Sequence, residues 1–208
     1  MPKRPVTGIS HSALTSHRIV RLPGQPLPER ISRTTAAGPT GLIYWNKPAK
    51  AQPLSPVVRL TAYGELMDRA PELREHYLTA LEEARSTTPH HPLVLAALGR
   101  KALRERNAQS VDLLRSALAA GSTTPTTFLD LAEALSRDAK LEEATETLKR
   151  GLELEPYSKD LRKSLILRYI AAKEYALARN AMQEYLRFFP EDSFMRGLLQ
   201  KVGTDPVR

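Results

Sequence analysis

The chain has 208 residues, 41% of them hydrophobic, 26% charged and 6% aromatic, with no cysteine and a net charge of +8. That length suits one domain with an appendage or two small domains. The missing thiols exclude disulfides, thiolate metal sites, a cysteine nucleophile and covalent haem attachment within this chain.

Residues 1–56 read as an irregular, basic, proline-rich segment. Nine of the 31 basic side chains and only one of the 23 acidic ones (Glu29) precede residue 60, so the remainder of the chain is balanced. The excess charge therefore belongs to a tail, and no nucleic-acid partner is expected of the whole protein. Nine of the sixteen prolines fall in the same stretch, each removing a backbone donor and biasing its predecessor away from helix. The one apolar knot is Leu42-Ile43-Tyr44-Trp45, which would either dock on a neighbouring hydrophobic face or anchor a partner. No apolar run approaches the ~20 residues of a membrane span. Pro2, Pro5, Pro23, Pro26 and Pro28 stand where a secretory signal needs an apolar block. As written, the chain is expected to be soluble and cytoplasmic.

From Val57 onward, apolar residues recur at intervals of three and four, the spacing of an amphipathic helix. Breaks fall at Ala70-Pro71, Thr87 to Pro92, Asn107-Ala108, Gly121 to Pro125, Asp138-Ala139, Pro156 to Ser158, Ala172-Lys173 and Pro190. Thr124-Pro125 and Ser158-Lys159-Asp160 have helix-start chemistry, while Gly121 and Gly203 are predicted left-handed stops. No alternating β-branched run occurs, so residues 57–203 should be almost wholly α.

The pattern repeats. Leu131, Ala132, Leu135, Ala144, Leu148, Gly151 and Pro156 recur 34 residues later as Leu165, Ile166, Tyr169, Ala178, Met182, Tyr185 and Pro190. Upstream, Ser110, Leu114 and Ala117 keep that offset, but Leu98, Gly99 and Ala102 lie 33 before their counterparts. This predicts an inner turn one residue shorter around Asn107. The unit 57–91 is degenerate, keeping Tyr77, Leu81 and Ala84 but interrupted by Pro71. Paired helices approach closely only where small residues meet, so Ala132 is expected against Ala144 and Gly151. One hairpin cannot cover its own apolar face, so units must stack and the last needs a cap, residues 191–202.

On these residues the segment resembles tetratricopeptide repeats. The resemblance implies an all-α, right-handed solenoid of three to four hairpins (57–91, 92–124, 125–158 and 159–190) with a C-terminal capping helix. It further implies a non-catalytic scaffold that holds a protein or peptide partner in a concave groove lined by each unit's first helix. That groove would draw on Ala96, Arg100, Leu103 and Arg104, then Leu129, Glu133, Ser136 and Arg137, then Lys163, Leu167 and Ile170. Only Lys163 fits the family's two-carboxylate clamp, since neighbouring units present Glu133 and Leu129, so recognition of a chaperone's acidic C-terminus is not expected.

A second resemblance lies in the tail. Met1-Pro2-Lys3-Arg4, followed by Ile9-Ser10-His11-Ser12-Ala13-Leu14-Thr15-Ser16-His17-Arg18-Ile19, is similar to the stretch after the last haem site of bacterial multihaem cytochromes c, some of which carry tetratricopeptide repeats C-terminal to their haems. Either Met1 is internal to a longer, periplasmic electron-transfer protein, or the likeness is chance. In the first case His11 and His17 become candidate axial ligands of a haem c held by an upstream segment. No cofactor is expected in the chain itself.

No P-loop, G-x-G-x-x-G, G-x-S-x-G or H-E-x-x-H occurs. His90-His91 precede Pro92 at a turn and read as capping or exposed residues, and His76 as a partly buried, non-catalytic one. No enzyme activity is expected.

Overall fold

Ser55 accepts a hydrogen bond from the Val58 amide and is followed by Pro56, whose fixed φ suits a first helical turn. This start opens a run of helices that continues to Thr204. The computed structural model describes residues 3–5, 13–15, 54–67 and 70–204. The chain divides into two compact units, Met1–Pro39 and Thr40–Arg208.

In the first unit, β1 (Lys3–Pro5) pairs antiparallel with β2 (Ala13–Thr15), with Lys3 opposite Thr15 and Pro5 opposite Ala13. The sequence shows no strand period here. Three residues are too few to display alternation, and Pro5, lacking an N–H, ends the ladder.

In the second unit the described residues form α1 (Pro56–Leu66), a 3-10 turn (Pro71–Leu73), α2 (Arg74–Thr87), α3 (Pro92–Arg104), α4 (Ser110–Ala119), α5 (Pro125–Arg137), α6 (Leu141–Leu154), α7 (Lys159–Ala171), α8 (Tyr175–Phe188) and α9 (Ser193–Thr204). The 34-residue recurrence is thus a helical hairpin repeated along the chain. His91 caps α3, its Nδ1 accepting from the Leu93 amide at 3.2 Å. Ser158 caps α7 through the Leu161 amide. Gly121 takes a positive φ of 96° after α4, as expected of a left-handed stop. Gly203 does not act as one, because α9 runs through it to Thr204.

The inner turns share one device. Arg106, Ala139 and Lys173 adopt φ of 56°, 60° and 62°. Each is followed by a residue whose amide reaches back to the helix: Asn107 to the Ala102 carbonyl, Lys140 to Leu135 and Glu174 to Tyr169. These are Schellman-type closures, which satisfy carbonyls left open at a helix C-terminus. Four residues separate Arg106 from Ser110, but five separate Ala139 from Ala144 and Lys173 from Ala178. The shortened inner turn expected from the sequence is there.

The repeated small and large positions fill the interior. Ala117, Ala144 and Ala178 are fully buried, as are Leu114, Leu148 and Met182. Ile166 and Tyr185, which break the small-residue rule, are buried as well. One core cluster runs from Leu103 through Phe128, Leu148 and Leu161 to Met195 at the cap, and a smaller one joins Leu60, Tyr63, Leu81 and Ala84 to Val94 and Ala97. A β-carbon at Gly151 would lie 3.0 Å from Phe128 and 3.1 Å from Leu161 Cδ1, so its small size admits Phe128 and the next hairpin.

Candidate partner-binding groove

The sides of the stack differ. Along it α3 touches α5 and α5 touches α7, and α1 touches α3, whereas α2, α4, α6 and α8 have no mutual contacts. Rods that touch on one side and stand apart on the other must curve toward the touching side. The first helix of each hairpin therefore lines the inner, concave face.

On that face the expected residues divide into three groups. Leu103 and Ala96 are buried, at 4% and 8% exposure, so neither presents a side chain to a partner. This corrects the groove reading for Leu103, whose place in the helical period is that of a core residue. Leu129 and Ile170 are half-buried and pack on the core. Leu167 is the open apolar position, at 53% exposure, with Arg104 and Glu133 also exposed.

The remaining cationic positions are already engaged. Arg100 Nε donates to Asp130 Oδ2 at 2.7 Å, tying α3 to α5. Arg137 pairs with Glu133 and donates from Nη1 to the Leu103 carbonyl at 2.6 Å. Arg168, which no spacing in the sequence marks, donates from Nη1 to Ser136 Oγ at 3.2 Å, and that hydroxyl in turn donates to the Ala132 carbonyl. Arginines at the ends of α5 and α7 thus reach back to the end of the preceding first helix. A cation there meets the carbonyls at a helix end and the negative end of the helix dipole. These are hairpin-to-hairpin ties.

Asp130 illustrates the local balance. Its burial pushes the carboxyl above the usual range, and the Arg100 guanidinium offsets only part of that. Burial likewise raises the Tyr77 hydroxyl, which lies within the field of Arg100, Arg104 and Asp130.

Lys163 is also held. Its Nζ lies 2.8 Å from Asp192 Oδ2, the same oxygen that accepts from the Tyr185 hydroxyl at 2.7 Å, while Oδ1 accepts from the Met195 amide at 3.0 Å. Hydrogen bonding to Lys163, then to Tyr185 and the Met195 amide, holds the Asp192 carboxyl well below the usual carboxylate range. The cluster seats the cap α9 on the last hairpin.

His11 and His17 lie outside the described residues, as does the Leu42–Trp45 knot. His76 stacks at 5.5 Å from Tyr63 and is half-buried. Among the described residues no group of three or more His, Asp or Glu could hold a metal ion, and no helix is long and apolar enough to cross a membrane.

No protein-family model matches the chain, and no curated protein matches it. Solved structures do. A chain of the APC/C hetero-tetramer Cut9–Hcn1 superposes with a TM-score of 0.60 at 20% identity, covering 71% of this chain and 30% of that one. PilF of Pseudomonas aeruginosa gives 0.59 at 18% identity, over 71% of this chain and 67% of its own. YrrB, described as a TPR protein with an unusual peptide-binding site, gives 0.51 at 17%, over 65% and 70%. The fold is therefore a tetratricopeptide-like helical solenoid. The aligned region spans less than a third of the Cut9–Hcn1 chain. At these identities the likeness defines the fold alone.

Proposed function

We propose that this chain is a non-catalytic scaffold that holds a protein or peptide partner against the first-helix face of its hairpins. The supporting observation is the one-sided contact of α1, α3, α5 and α7, which leaves a concave face bearing the exposed Leu167. An exposed leucine one helical turn beyond Lys163 on α7 offers an apolar contact beside a charged cluster, the usual anatomy of a protein interface. Peptide binding in the similar YrrB fold is in keeping with this. The reading retains Leu129, Glu133 and Leu167 as contact positions and gives Arg100, Arg137 and Lys163 a positioning role.

Photo-crosslinking tests it. A photoreactive phenylalanine analogue is placed at Leu167 and, separately, at Leu177, which is exposed on the second helix α8. A discrete crosslinked protein from position 167 and none from 177 is expected. Equal crosslinking from both positions, or from 177 alone, overturns the assignment of the face.

A further inference from the structure

The ladder of arginine ties stops at α3. Arg168 reaches back from α7 to α5, and Arg137 from α5 to α3. Arg104 stands in the corresponding last turn of α3, but it reaches no described carbonyl of the first hairpin; its charge acts instead on Tyr77 and Asp130. Among the described residues it makes no hydrogen bond or ion pair, and it is exposed. It lines instead a crevice of about 340 Å³ between the end of α1, the start of α2 and the second half of α3.

The walls of this crevice combine two chemistries. Among the described residues, Arg74, Arg100, Lys101 and Arg104 supply four cationic groups to the lining against one lining carboxylate, Glu105, with Asp130 acting on Arg100 and Arg104 from beside it. Two of the four are committed, Arg100 to Asp130 and Lys101 to Glu105 at 3.5 Å. Arg74, like Arg104, has no ion-pair partner among the described residues. Between them the crevice is apolar, formed by Met67, Leu78, Ala97 and the ring of Tyr77. Two guanidinium groups without an ion pair among the described residues, flanking an apolar slot, match a carboxylate neighbouring a large aliphatic side chain, because guanidinium binds carboxylate through paired N–H donors.

We infer that the crevice between α2 and α3 is a binding site for an acidic peptide segment, with Arg104 and Arg74 taking its carboxylates and the slot lined by Met67, Leu78 and Tyr77 taking an adjacent leucine-like side chain. A ligand carboxylate there does for Arg104 what the Leu103 carbonyl does for Arg137. The inference takes from the scaffold reading only that the ligand is a peptide, and it does not depend on Leu167.

The test uses the full chain and a fluorescein-labelled amidated peptide of Glu-Glu-Leu triplets, with a Gln-Gln-Leu peptide as its neutral counterpart. Fluorescence anisotropy should show saturable binding of the acidic peptide and none of the neutral one. Arg104→Glu should weaken it by about ten-fold or more, the loss of one charge-assisted hydrogen bond. Arg104→Gln, which keeps a neutral polar stem at the helix end, should also weaken it, and circular dichroism should find both variants as helical as the parent. Lys149→Glu, the same charge change on α6, should leave binding unaltered. Absence of saturable binding, equal binding of the neutral peptide, insensitivity to both Arg104 variants, or equal weakening by Lys149→Glu overturns the site. So does equal competition by an oligonucleotide, which would make it a general anion surface. Failure of crosslinking at Leu167 with this peptide still bound would overturn the groove alone, and the converse result the crevice alone.

Discussion

Arg137 and the carbonyl oxygen of Leu103 are 34 residues apart in sequence and 2.6 Å apart in space. The same carbonyl accepts from the Arg106 amide in the turn closing α3, so one oxygen links the end of a hairpin's first helix to the next hairpin. The stacking of the hairpins is thereby carried by a hydrogen bond as well as by packing. Hydrogen bonds to charged groups contribute about 1.5–3 kcal/mol when well shielded. With 46% of the Arg137 side chain exposed, the lower part of that range or less applies. Arg137→Met, which keeps the apolar stem, should lower stability by about 1 kcal/mol. A urea midpoint equal to that of the parent would remove the tie from the account.

Two glycines make opposite predictions. A β-carbon at Gly99 would lie 2.6 Å from Leu114 Cγ and 2.8 Å from its Cδ2, and Leu114 is fully buried. Gly99→Ala should therefore destabilise by about 1–3 kcal/mol through overpacking, despite alanine's better helix propensity. At Gly197, inside α9, nothing lies within 4 Å of such a carbon. Gly197→Ala should stabilise by up to about 1 kcal/mol. Thermal melts of the two variants should move in opposite directions.

The left-handed residues that close the inner turns offer a second backbone test. Ala139 holds φ of 60°, a conformation that costs an L-residue about 1–2 kcal/mol. Ala139→Gly should raise the melting temperature, with the greater freedom of glycine in the unfolded chain returning part of the gain. Gly121→Ala, imposing a β-carbon at φ of 96°, should lower it.

Stability should also bend at both ends of the pH scale around Asp192. Its carboxyl titrates below the ordinary range in the folded chain, chiefly through the Lys163 hydrogen bond. The stability it contributes is therefore present above about pH 4, the unfolded value, and lost as pH falls toward the lower folded value. Tyr185 is pushed up to about 12 by burial and by its hydrogen bond to Asp192. Its contribution is complete below about pH 10 and disappears between 10 and 12. Asp192→Asn should flatten the acid limb of urea midpoint against pH, and Tyr185→Phe the alkaline limb. Unaltered limbs in both variants would dissociate the cluster from stability.

The hairpins were legible because packing constrains residue size at fixed intervals. Ala144, Ala178, Leu148 and Met182 recur at 34 residues and are all buried, and Pro156 and Pro190 stand just beyond the ends of α6 and α8. The left-handed closures were not legible, because Arg106, Ala139 and Lys173 carry no glycine to mark them. The groove was read only in part. An arginine on a first helix has the same spacing whether it points at a partner or at the neighbouring hairpin, so Arg100 and Arg137 could not be told apart from free contact residues. Leu103 illustrates a different limit: inner face and core adjoin on a helix, and one step of the period separates Leu103 from the exposed Arg104. The crevice leaves no mark in the sequence, because it arises where the first hairpin departs from the repeat.

The claim on which the function rests is that the partner lies against the first helices. With the crosslinked partner purified, its affinity for Leu167→Asp and Leu177→Asp gives the most direct measurement. Both leucines are exposed, at 53% and 48%, so neither change should alter the fold. The account predicts that Leu167→Asp weakens binding by ten-fold or more, about 1.4 kcal/mol, while Leu177→Asp leaves it unchanged. The reverse pattern, with the α8 variant failing and the α7 variant binding normally, would contradict it.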